Sequence, residues 1–336
     1  MNIREIARLA GVSVATVSRS INQPEKVSPE TRERIMAVIQ QTDYVPNPSA
    51  QSLSTGQTRT IACIVPTLRN EFFNQLVEGS QKVLGNAGYK LLIYSTNNDP
   101  RCMDKLDQRG IDGIIISGSD FTRGIKEYLL HLRVPYVIIE NVEQLLLKPQ
   151  PVSVYIEDYD GVQMALRYLY AEGNRSFGVV AGRDQTLITE RRMQAVTDFF
   201  EQHRDCVCRV VRADYAVPEQ SSRAVLEFLN GRERPTAIFA FNDMMAAGVL
   251  RSLLEQGVRV PEEMEVMGFD DIPLASYFTP SLSTISAPNR RLGEKAAELL
   301  LRQLNEGVEL STCILYPVEL RLRESTKNRV DSEDFV

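Results

Sequence analysis

The sequence predicts an all-α helix-turn-helix head joined by a hinge to an α/β core of two doubly wound parallel-sheet lobes. Three observations lead to this fold class. Residues 1–45 carry apolar side chains at helical spacing, and residues 46–59 are rich in Pro, Asn, Ser, Gln and Thr. From residue 60 onward, short β-rich apolar runs alternate with helical stretches, a pattern typical of parallel βαβ units.

The first residues of the chain predict two short helices that meet at a glycine. Asn2 can cap the first helix, and Glu5, three residues later, can complete a capping box. Gly11 tolerates the positive φ of a tight turn, and Ser13 is a favourable N-cap for a second helix that begins near Val14. The pattern indicates a helix-turn-helix, although any small helical bundle can show similar spacing.

The second predicted helix has a buried face and a face of short, mostly polar side chains. Val17 and Ile21 lie four residues apart and are expected to point inward. The residues expected on the other faces are Val14, Ala15, Thr16, Ser18 and Arg19. Ser28 and Pro29 then supply an N-cap and a first-turn proline for a third helix. Such a small-residue face can approach the base edges of DNA closely.

The segment GVSVATVSR, from Gly11 to Arg19, followed by Asn22, resembles the N-terminal signature of the LacI/GalR family of bacterial transcription regulators. The resemblance continues through Val27-Ser28, Thr31-Arg32, Tyr44 to Asn47 and Ala50 to Leu53, and more loosely over nearly the whole remaining chain. It implies a ligand-responsive, sequence-specific DNA-binding regulator. Within the family, a repressor of a carbohydrate-utilisation operon is the expectation for this chain.

The resemblance also implies roles for residues of the head. Ser13, Thr16 and Asn22 would contact phosphates and orient the helix, whereas Val14, Ala15 and Arg19 would face base edges. The planar guanidinium of Arg19 suits a bidentate contact with guanine. The residues predicted to contact DNA are Ser13, Val14, Ala15, Thr16, Ser18, Arg19, Asn22, Asn47, Ala50 and Leu53.

The hinge contains one candidate helical turn at 49–55, which is too short to be stable alone. The family's hinge orders when two copies meet on DNA, and a leucine then enters the minor groove and kinks it. Leu53 is the matching residue, and the cost of unstacking can be offset by the extra surface that bent DNA contacts. The alternative is that Leu53 only anchors the linker to the core.

The distribution of charge predicts that the protein acts as a homodimer. The chain has a net charge of -6, but residues 1–59 hold seven basic and five acidic side chains, a net charge of +2 that leaves -8 for the rest. A head with this small excess releases few counterions from DNA, so useful affinity requires two heads on one pseudo-palindromic site. Residues 331–336 contain no leucine heptads, which favours a dimer over a tetramer held by a C-terminal coiled coil.

The core shows two successive series of strands and helices. The first series has strands predicted at 61–65, 90–94, 113–116 and 136–139, with helices at 71–84 and 123–131. The second has strands at 152–156, 177–181, 208–211, 236–240 and 265–268, with one helix through 169 and others at 192–200, 219–229 and 244–255. The final segments, at 282–286, 292–305 and 314–321, are too few for a third domain and are expected to complete both halves.

These patterns divide the chain into a helix-turn-helix domain at 1–45, a hinge at 46–59, a core at 60–330 and an acidic tail at 331–336. Within the core, one lobe is expected at about 60–158 plus 287–316 and the other at about 159–286 plus 317–328. The family resemblance implies the same arrangement, because its core is similar to a periplasmic sugar-binding protein with two lobes around a cleft.

Polar residues that directly follow the predicted strands are the candidates for ligand binding, because open parallel sheets bind ligands at the carboxyl ends of their strands. The predicted effector-binding residues are Phe72, Phe73, Glu140, Arg192, Asn242 and Asp270. Arg192 is expected in the loop or first helical turn after its strand, where its planar fork could bind two adjacent oxygens. Resemblance to the family's cleft segments favours Arg192, Asn242 and Asp270, with Phe73 next.

Each of these residues also has a purely structural interpretation. Asp243 and Asp271 could cap helices, Arg192 could pair with Glu190, and the phenylalanines could belong to the core. We expect Asp243 to cap the helix that begins at Met244. Glu157-Asp158 stands where the family more often has Asp-Asn, so the ligand is open among sugars, sugar derivatives, nucleosides, purines and sugar phosphates.

The sequence lacks the usual signatures of an enzyme. It has two histidines, His131 and His203, and no nucleophile elbow, P-loop or dinucleotide fingerprint. The paired acids Asp270 and Asp271 are adjacent, so they cannot easily place two carboxyls across one glycosidic bond. We therefore expect no catalytic activity and no cofactor.

The cysteines and the hydropathy pattern predict a reduced, soluble protein. Five cysteines without framework spacing are typical of a reducing compartment. Cys206 and Cys208 with His203 suggest a metal site, but no convincing fourth ligand is present, so a structural role is preferred. No signal peptide and no membrane-length apolar run is apparent, and we expect a cytoplasmic protein.

Overall fold

The computed structural model describes residues 1–42, 44–45, 52, 56–96, 106, 108–118, 125–182, 186–215, 217–231, 233–307 and 312–329. It divides into two compact units, Met1–Thr60 with Arg109–Asp112, and Ile61–Gln108 with Gly113–Val336. None of the helices in the described part of the chain is long and apolar enough to cross a membrane.

The first unit contains three helices, α1 at Ile3–Ala10, α2 at Val14–Asn22 and α3 at Pro29–Thr42, with a short 3-10 turn at Pro24–Lys26. The side chains of Asn2 and Glu5 form the predicted capping box, and Gly11 ends α1 with a φ of 66°. Because these capping signals are local, the sequence predicted both helix ends correctly. The buried core consists of Ile6, Ala7, Ala10, Val17 and Ile35.

The second unit holds two six-stranded sheets. The first sheet has the order β11-β5-β4-β3-β1-β2, and its pairings from β11 through β1 are parallel. Its strands are β1 at Thr60–Val65, β2 at Lys90–Ser95, β3 at Gly113–Ser117, β4 at Tyr136–Ile139, β5 at Ser153–Ile156 and β11 at Cys313–Tyr316. The helices of this lobe are α4 at Glu71–Asn86, α5 at Ile125–His131 and α10 at Asn289–Glu306.

The second sheet has the order β12-β10-β9-β8-β6-β7, with β12 antiparallel to β10 and the other pairs parallel. Its strands are β6 at Ser176–Ala181, β7 at Val207–Arg212, β8 at Ala237–Ala240, β9 at Glu265–Asp270, β10 at Ser283–Ser286 and β12 at Glu319–Arg321. The associated helices are α6 at Asp158–Ala171, α7 at Leu187–Gln202, α8 at Pro218–Leu229 and α9 at Asp243–Glu255.

The C-terminal segments return to both sheets. The final segment at 314–321 contains two strands separated at Pro317, and it completes both sheets as expected: β11 pairs with β5, and β12 pairs with β10 in the other sheet. Helix α10 packs against α4 and against strands β3 and β4. The predicted helical head and two parallel-sheet lobes are thus confirmed.

Candidate functional site

Helix α2 presents an open face made of the residues predicted to meet base edges. Val14 is 40% exposed, and Ala15 and Arg19 are also exposed, whereas Val17 on the opposite face is fully buried. Ser13 is exposed as well, and Thr16, Ser18 and Asn22 are half-buried. A positively charged guanidinium beside two small apolar side chains can enter a groove and reach donor and acceptor atoms there.

The polar residues of this helix hold its N-terminus in place. The Ser13 hydroxyl oxygen accepts a hydrogen bond from the Thr16 amide at 3.1 Å and lies 2.8 Å from the Thr16 hydroxyl oxygen. The Asn22 amide nitrogen donates to the Ser18 hydroxyl at 3.4 Å. The first turn of α2 is therefore ordered by its own side chains.

The predicted hinge contacts Asn47, Ala50 and Leu53 lie outside the described residues. Ser52, which is described, is helical, and its carbonyl oxygen accepts a hydrogen bond from the Gly56 amide at 2.8 Å. The roles of the three predicted contact residues stay predictions.

A cleft of about 550 Å³ lies in the second unit, where strands of both sheets end. All six predicted effector-binding residues line it: Phe72, Phe73, Glu140, Arg192, Asn242 and Asp270. The other lining residues are Asn70, Ile139, Tyr155, Ile156, Asp158, Ile188, Tyr215 and Leu292. The parallel topology brings these residues together, because each sheet gathers the carboxyl ends of its parallel strands at one edge.

Arg192 lies in the second turn of α7 and is held by several groups at once, so its predicted location in a loop or first turn was wrong. Its Nε donates to Asp158 Oδ1 at 2.8 Å, and its Nη2 is 2.7 Å from the same oxygen. Its Nη1 donates to the Phe241 carbonyl, and the guanidinium stacks over the Phe269 ring at 3.7 Å. Asp158, rather than the alternative Glu190, is the partner of this buried charge.

The two predicted acids of the cleft are buried and have raised pKa values. Burial and the nearby charge of Asp158 raise the pKa of Glu140 to about 8, against the hydrogen bond that its carboxylate accepts from the Asn141 amide at 2.9 Å. Burial, with repulsion from Asp158, raises the pKa of Asp270 to about 7 even though Arg192 opposes the shift. Both carboxyls can therefore exchange protons near neutral pH.

Asn242, rather than Asp243, caps helix α9, so the prediction for Asp243 was wrong. The Asn242 side-chain oxygen accepts from the Met245 amide at 2.8 Å, and its nitrogen donates to the Tyr215 carbonyl at 3.0 Å. Asp243 is fully buried and accepts hydrogen bonds from the Ile272 amide and the Thr284 hydroxyl. Both residue types are good N-caps, so the sequence left the register of the helix start ambiguous.

Asp270 and Asp271 occupy strained backbone positions, with φ values of 110° and 53°. Asp270 turns toward the cleft, whereas Asp271 accepts from Arg323 at 2.6 Å and from the Ser286 hydroxyl at 2.9 Å. Asp271 is thus no helix cap. Side chains at such φ values are costly, and they cluster at binding sites where surrounding contacts hold them.

The two phenylalanines have both of the roles that the sequence left open. Their rings meet edge to face with centroids 5.1 Å apart, and both line the cleft. Phe73 is also 4% exposed and belongs to the main core. Their ring faces and edges can pack against an apolar face of a ligand.

Sequence reasoning missed Asp158, Tyr155, Tyr215 and Asn70 as lining residues. The sequence held one indication that the Asp158 position matters for the ligand, because Glu157-Asp158 departs from the family's more usual Asp-Asn. Tyr215 lies 3.0 Å from the Thr189 hydroxyl and has its pKa raised to about 12 by burial, whereas Asn70 caps α4 through the Phe72 amide. These residues show no motif, and only the fold brings them to the cleft.

The sequence also suggested a metal site near Cys206 and Cys208, although a structural role was preferred. No group of three or more His, Cys, Asp or Glu side chains in the described part of the chain is arranged to hold a metal ion. The ring of His203 stacks on Phe199 at 4.1 Å, and Asp205 pairs with Arg175 at 2.9 Å.

Two family models match the chain. The model described as bacterial regulatory proteins, lacI family, matches residues 2–47, and the periplasmic binding protein-like domain matches residues 166–326. The first match covers the three-helix head, and the second lies within the two-sheet unit.

Proteins similar over nearly the full length are also known. The HTH-type transcriptional repressor PurR of Vibrio vulnificus (strain CMCP6) is 30% identical over 97% of this chain and 98% of its own. The structure of the lac repressor dimer bound to operator and the anti-inducer ONPF is 26% identical, with a TM-score of 0.84 over 97% of this chain and 99% of that one. A complex of the transcriptional regulator CelR with cellobiose is 25% identical, with a TM-score of 0.71 over the same shares of the two chains.

Proposed function

Because this chain belongs to the LacI family of bacterial regulatory proteins, we propose that it represses a carbohydrate-utilisation operon under control of a sugar or sugar derivative. Membership of this family makes it a ligand-responsive transcriptional repressor. The proposal adds the class of effector and the residues involved. It describes a regulator rather than an enzyme, in line with the repressor to which the chain is similar.

In the DNA-binding head, we assign base contacts to Val14, Ala15 and Arg19. Contacts to phosphates and orientation of the helix on DNA are assigned to Ser13, Thr16, Ser18 and Asn22. The observation that carries this assignment is the open face of α2, where Arg19 is exposed opposite the buried Val17. We extend the contact surface to Asn47, Ala50 and Leu53 in a hinge at 46–59, with Leu53 entering the minor groove.

At the effector end, we assign Phe72, Phe73, Glu140, Arg192, Asn242 and Asp270 to ligand binding in the cleft. Support comes from their common position around one cleft, where apolar rings lie beside a small number of polar groups. The similar CelR structure contains cellobiose, which favours a carbohydrate for this chain as well.

We propose that the two ends are coupled through a homodimer on a pseudo-palindromic operator. Domains at 1–45, 46–59 and 60–330, with the two lobes given above, would provide the head, the hinge and the dimerising effector core. A ligand that changes operator affinity must itself bind with an affinity that operator DNA changes by the same factor. Such a protein would act in the cytoplasm, at the nucleoid when bound to DNA.

Selection of bound duplexes from a random pool, followed by affinity measurement on the selected operator, tests the DNA assignment. We expect Arg19→Ala to weaken operator binding by about 10- to 100-fold and to relax selectivity at one base pair, because a bidentate guanine contact contributes about 1–3 kcal/mol. The matched variant Arg19→Lys keeps the charge, so it should retain the phosphate-dependent salt slope while losing selectivity. An unchanged operator affinity for Arg19→Ala would refute the assignment.

A further inference from the structure

We propose that the ligand of the cleft carries a basic nitrogen, so that an amino sugar binds in preference to the matching neutral sugar or sugar acid. The inference rests on the proposed function only in taking the cleft as the effector site. It follows from an imbalance between hydrogen-bond acceptors and donors among the lining side chains.

The acceptors of the cleft are largely uncommitted. None of the described residues donates a hydrogen bond to the Asp270 carboxylate, which is 4% exposed and whose nearest cation, Arg192 Nη2, is 3.8 Å away. Glu140 accepts one hydrogen bond, from the Asn141 amide. Asp158 binds Arg192 through Oδ1 alone. These oxygens line the cleft, so their open lone pairs can accept hydrogen bonds from donors of a ligand.

The donors of the cleft are partly in use. Arg192 donates to Asp158 and to the Phe241 carbonyl, and Asn242 donates to the Tyr215 carbonyl. The Tyr215 hydroxyl is paired with Thr189. Among the described lining residues, this leaves the remaining N–H groups of Arg192 and Asn242, the amide nitrogen of Asn70 and the hydroxyl of Tyr155, which are fewer than the open lone pairs of the three carboxyls.

The chemistry of the ligand follows from this count. A hydroxyl group brings one donor and two acceptor lone pairs, and a carboxylate or phosphate brings acceptors only. An ammonium group brings three donors and no acceptor. A ligand with an ammonium group therefore matches the cleft better than a ligand made of hydroxyls alone, and an anion matches it least.

The charges of the cleft favour the same class of ligand. Among the described lining residues, three carboxyls, those of Glu140, Asp158 and Asp270, face one guanidinium, that of Arg192. Arg191 also acts on Glu140, but it is half-buried and is not a lining residue, so solvent weakens its effect. A cationic ligand would supply the missing counter-charge in a buried setting, where charge pairing matters most.

The raised pKa values of Glu140 and Asp270 agree with this imbalance, because they show that ionisation of both carboxyls lacks a sufficient counter-charge. A ligand cation lowers the cost of that ionisation. The phenylalanine rings beside these acids add surfaces on which the carbon skeleton of a sugar can pack.

Calorimetry with matched triples of probes tests the proposal on the full-length protein. Each triple consists of a 2-amino sugar, its parent sugar and its uronate in the gluco, galacto or manno series, at constant ionic strength and at a pH where the amine is protonated. We expect at least one triple in which the amino sugar binds about tenfold or more tightly than the parent sugar and the uronate binds most weakly. The variants Glu140→Gln and Asp270→Asn should reduce that ratio toward one, because each removes a carboxylate from the cleft.

Glu157→Gln is the matched control, because Glu157 is a half-buried acid beside Asp158 that does not line the cleft. It should keep the preference for the amino sugar. Equal affinities within every triple, preference for a neutral sugar or a uronate, or no binding in any triple would overturn the proposal. Operator selection with Arg19→Ala uses no effector, so its result tells a failure of this inference apart from a failure of the proposed function.

Discussion

Asp158 shows how one side chain can change the chemistry of a whole cleft. It lies at the first position of α6, is 3% exposed and binds the buried Arg192 at 2.7 Å. Its Oδ1 is bound to Arg192, and its negative charge repels the charges of Glu140 and Asp270. A buried pair of this kind fixes geometry, because loss of either partner would leave an uncompensated charge inside the protein.

The raised pKa values of Glu140 and Asp270 predict that the protein without added ligand becomes less stable as the pH rises. Folded protein keeps protons on these carboxyls up to pKa values of about 8 and about 7, whereas unfolded carboxyls lose them near pH ~4. The folded state therefore binds more protons than the unfolded state between those limits, and the free energy of unfolding falls as pH increases through this range. Burial raises the pKa of Asp243 as well, which acts in the same direction.

Thermal unfolding at a series of pH values from ~5 to ~8 measures this effect. The melting temperature of the wild-type protein should fall along the series, and Glu140→Gln should make the decline shallower. Glu157→Gln should leave the slope as it is in wild type. A melting temperature that rises with pH would contradict the assigned pKa shifts.

Helices α4 and α10 illustrate how small residues determine the packing of whole elements. A Cβ atom on Gly293 would lie 2.0 Å from the Leu76 carbonyl oxygen, and one on Gly79 would lie 2.1 Å from the Arg290 carbonyl oxygen. The two backbones therefore approach each other directly. The Ser80 hydroxyl donates to the Gly293 carbonyl at 3.1 Å across the same interface.

We expect Gly293→Ala to destabilise the protein by about 1–3 kcal/mol, because backbone atoms of α4 would have to move to make room. Gly85→Ala is the matched control, because Gly85 lies in α4 with no atom within 4 Å of the added Cβ. That change should be neutral or stabilise the protein by about 0.5–1 kcal/mol through helix propensity. Urea unfolding compares the midpoints, and equal midpoints for the two variants would refute the close approach of the helices.

Near its C-terminus the chain passes several times between the two lobes, so its last segments connect both sheets. Strand β10 belongs to the second sheet, α10 and β11 to the first lobe, and β12 to the second sheet again. Asp271 joins β10 and the segment after β12 through its bonds to Ser286 and Arg323. The strained Asp270 is its direct neighbour, so a residue of the cleft lies beside the contacts that join these segments.

We expect the protein to be a dimer in solution, because a single head with a net charge of +2 cannot bind DNA tightly by itself. Light scattering should give twice the chain mass of 37.9 kDa across the concentrations used for operator binding. A tetramer or a stable monomer would contradict this prediction.

Much of the fold was predictable from the sequence because its signals are local. The capping box of Asn2 and Glu5, the glycine turn at Gly11 and the cap at Ser13 each depend on neighbouring residues only. Apolar runs predicted the core strands because parallel strands are buried on both faces. The rule that polar residues after these strands bind ligands led to Glu140, Asn242 and Asp270, all of which line the cleft.

The pairings inside the cleft were decided by the tertiary structure alone. Asp158 and Arg192 are 34 residues apart, and Asp243 and Thr284 are 41 apart, so no local pattern could join them. The division of 313–321 between two sheets likewise depends on partners far along the chain. The sequence by itself determined helix α2, the strands and the position of the cleft, because caps and periodicity act over a few residues. Which carboxyl pairs with Arg192, and which carboxyls are left for a ligand, depends on contacts that exist only once both lobes have folded.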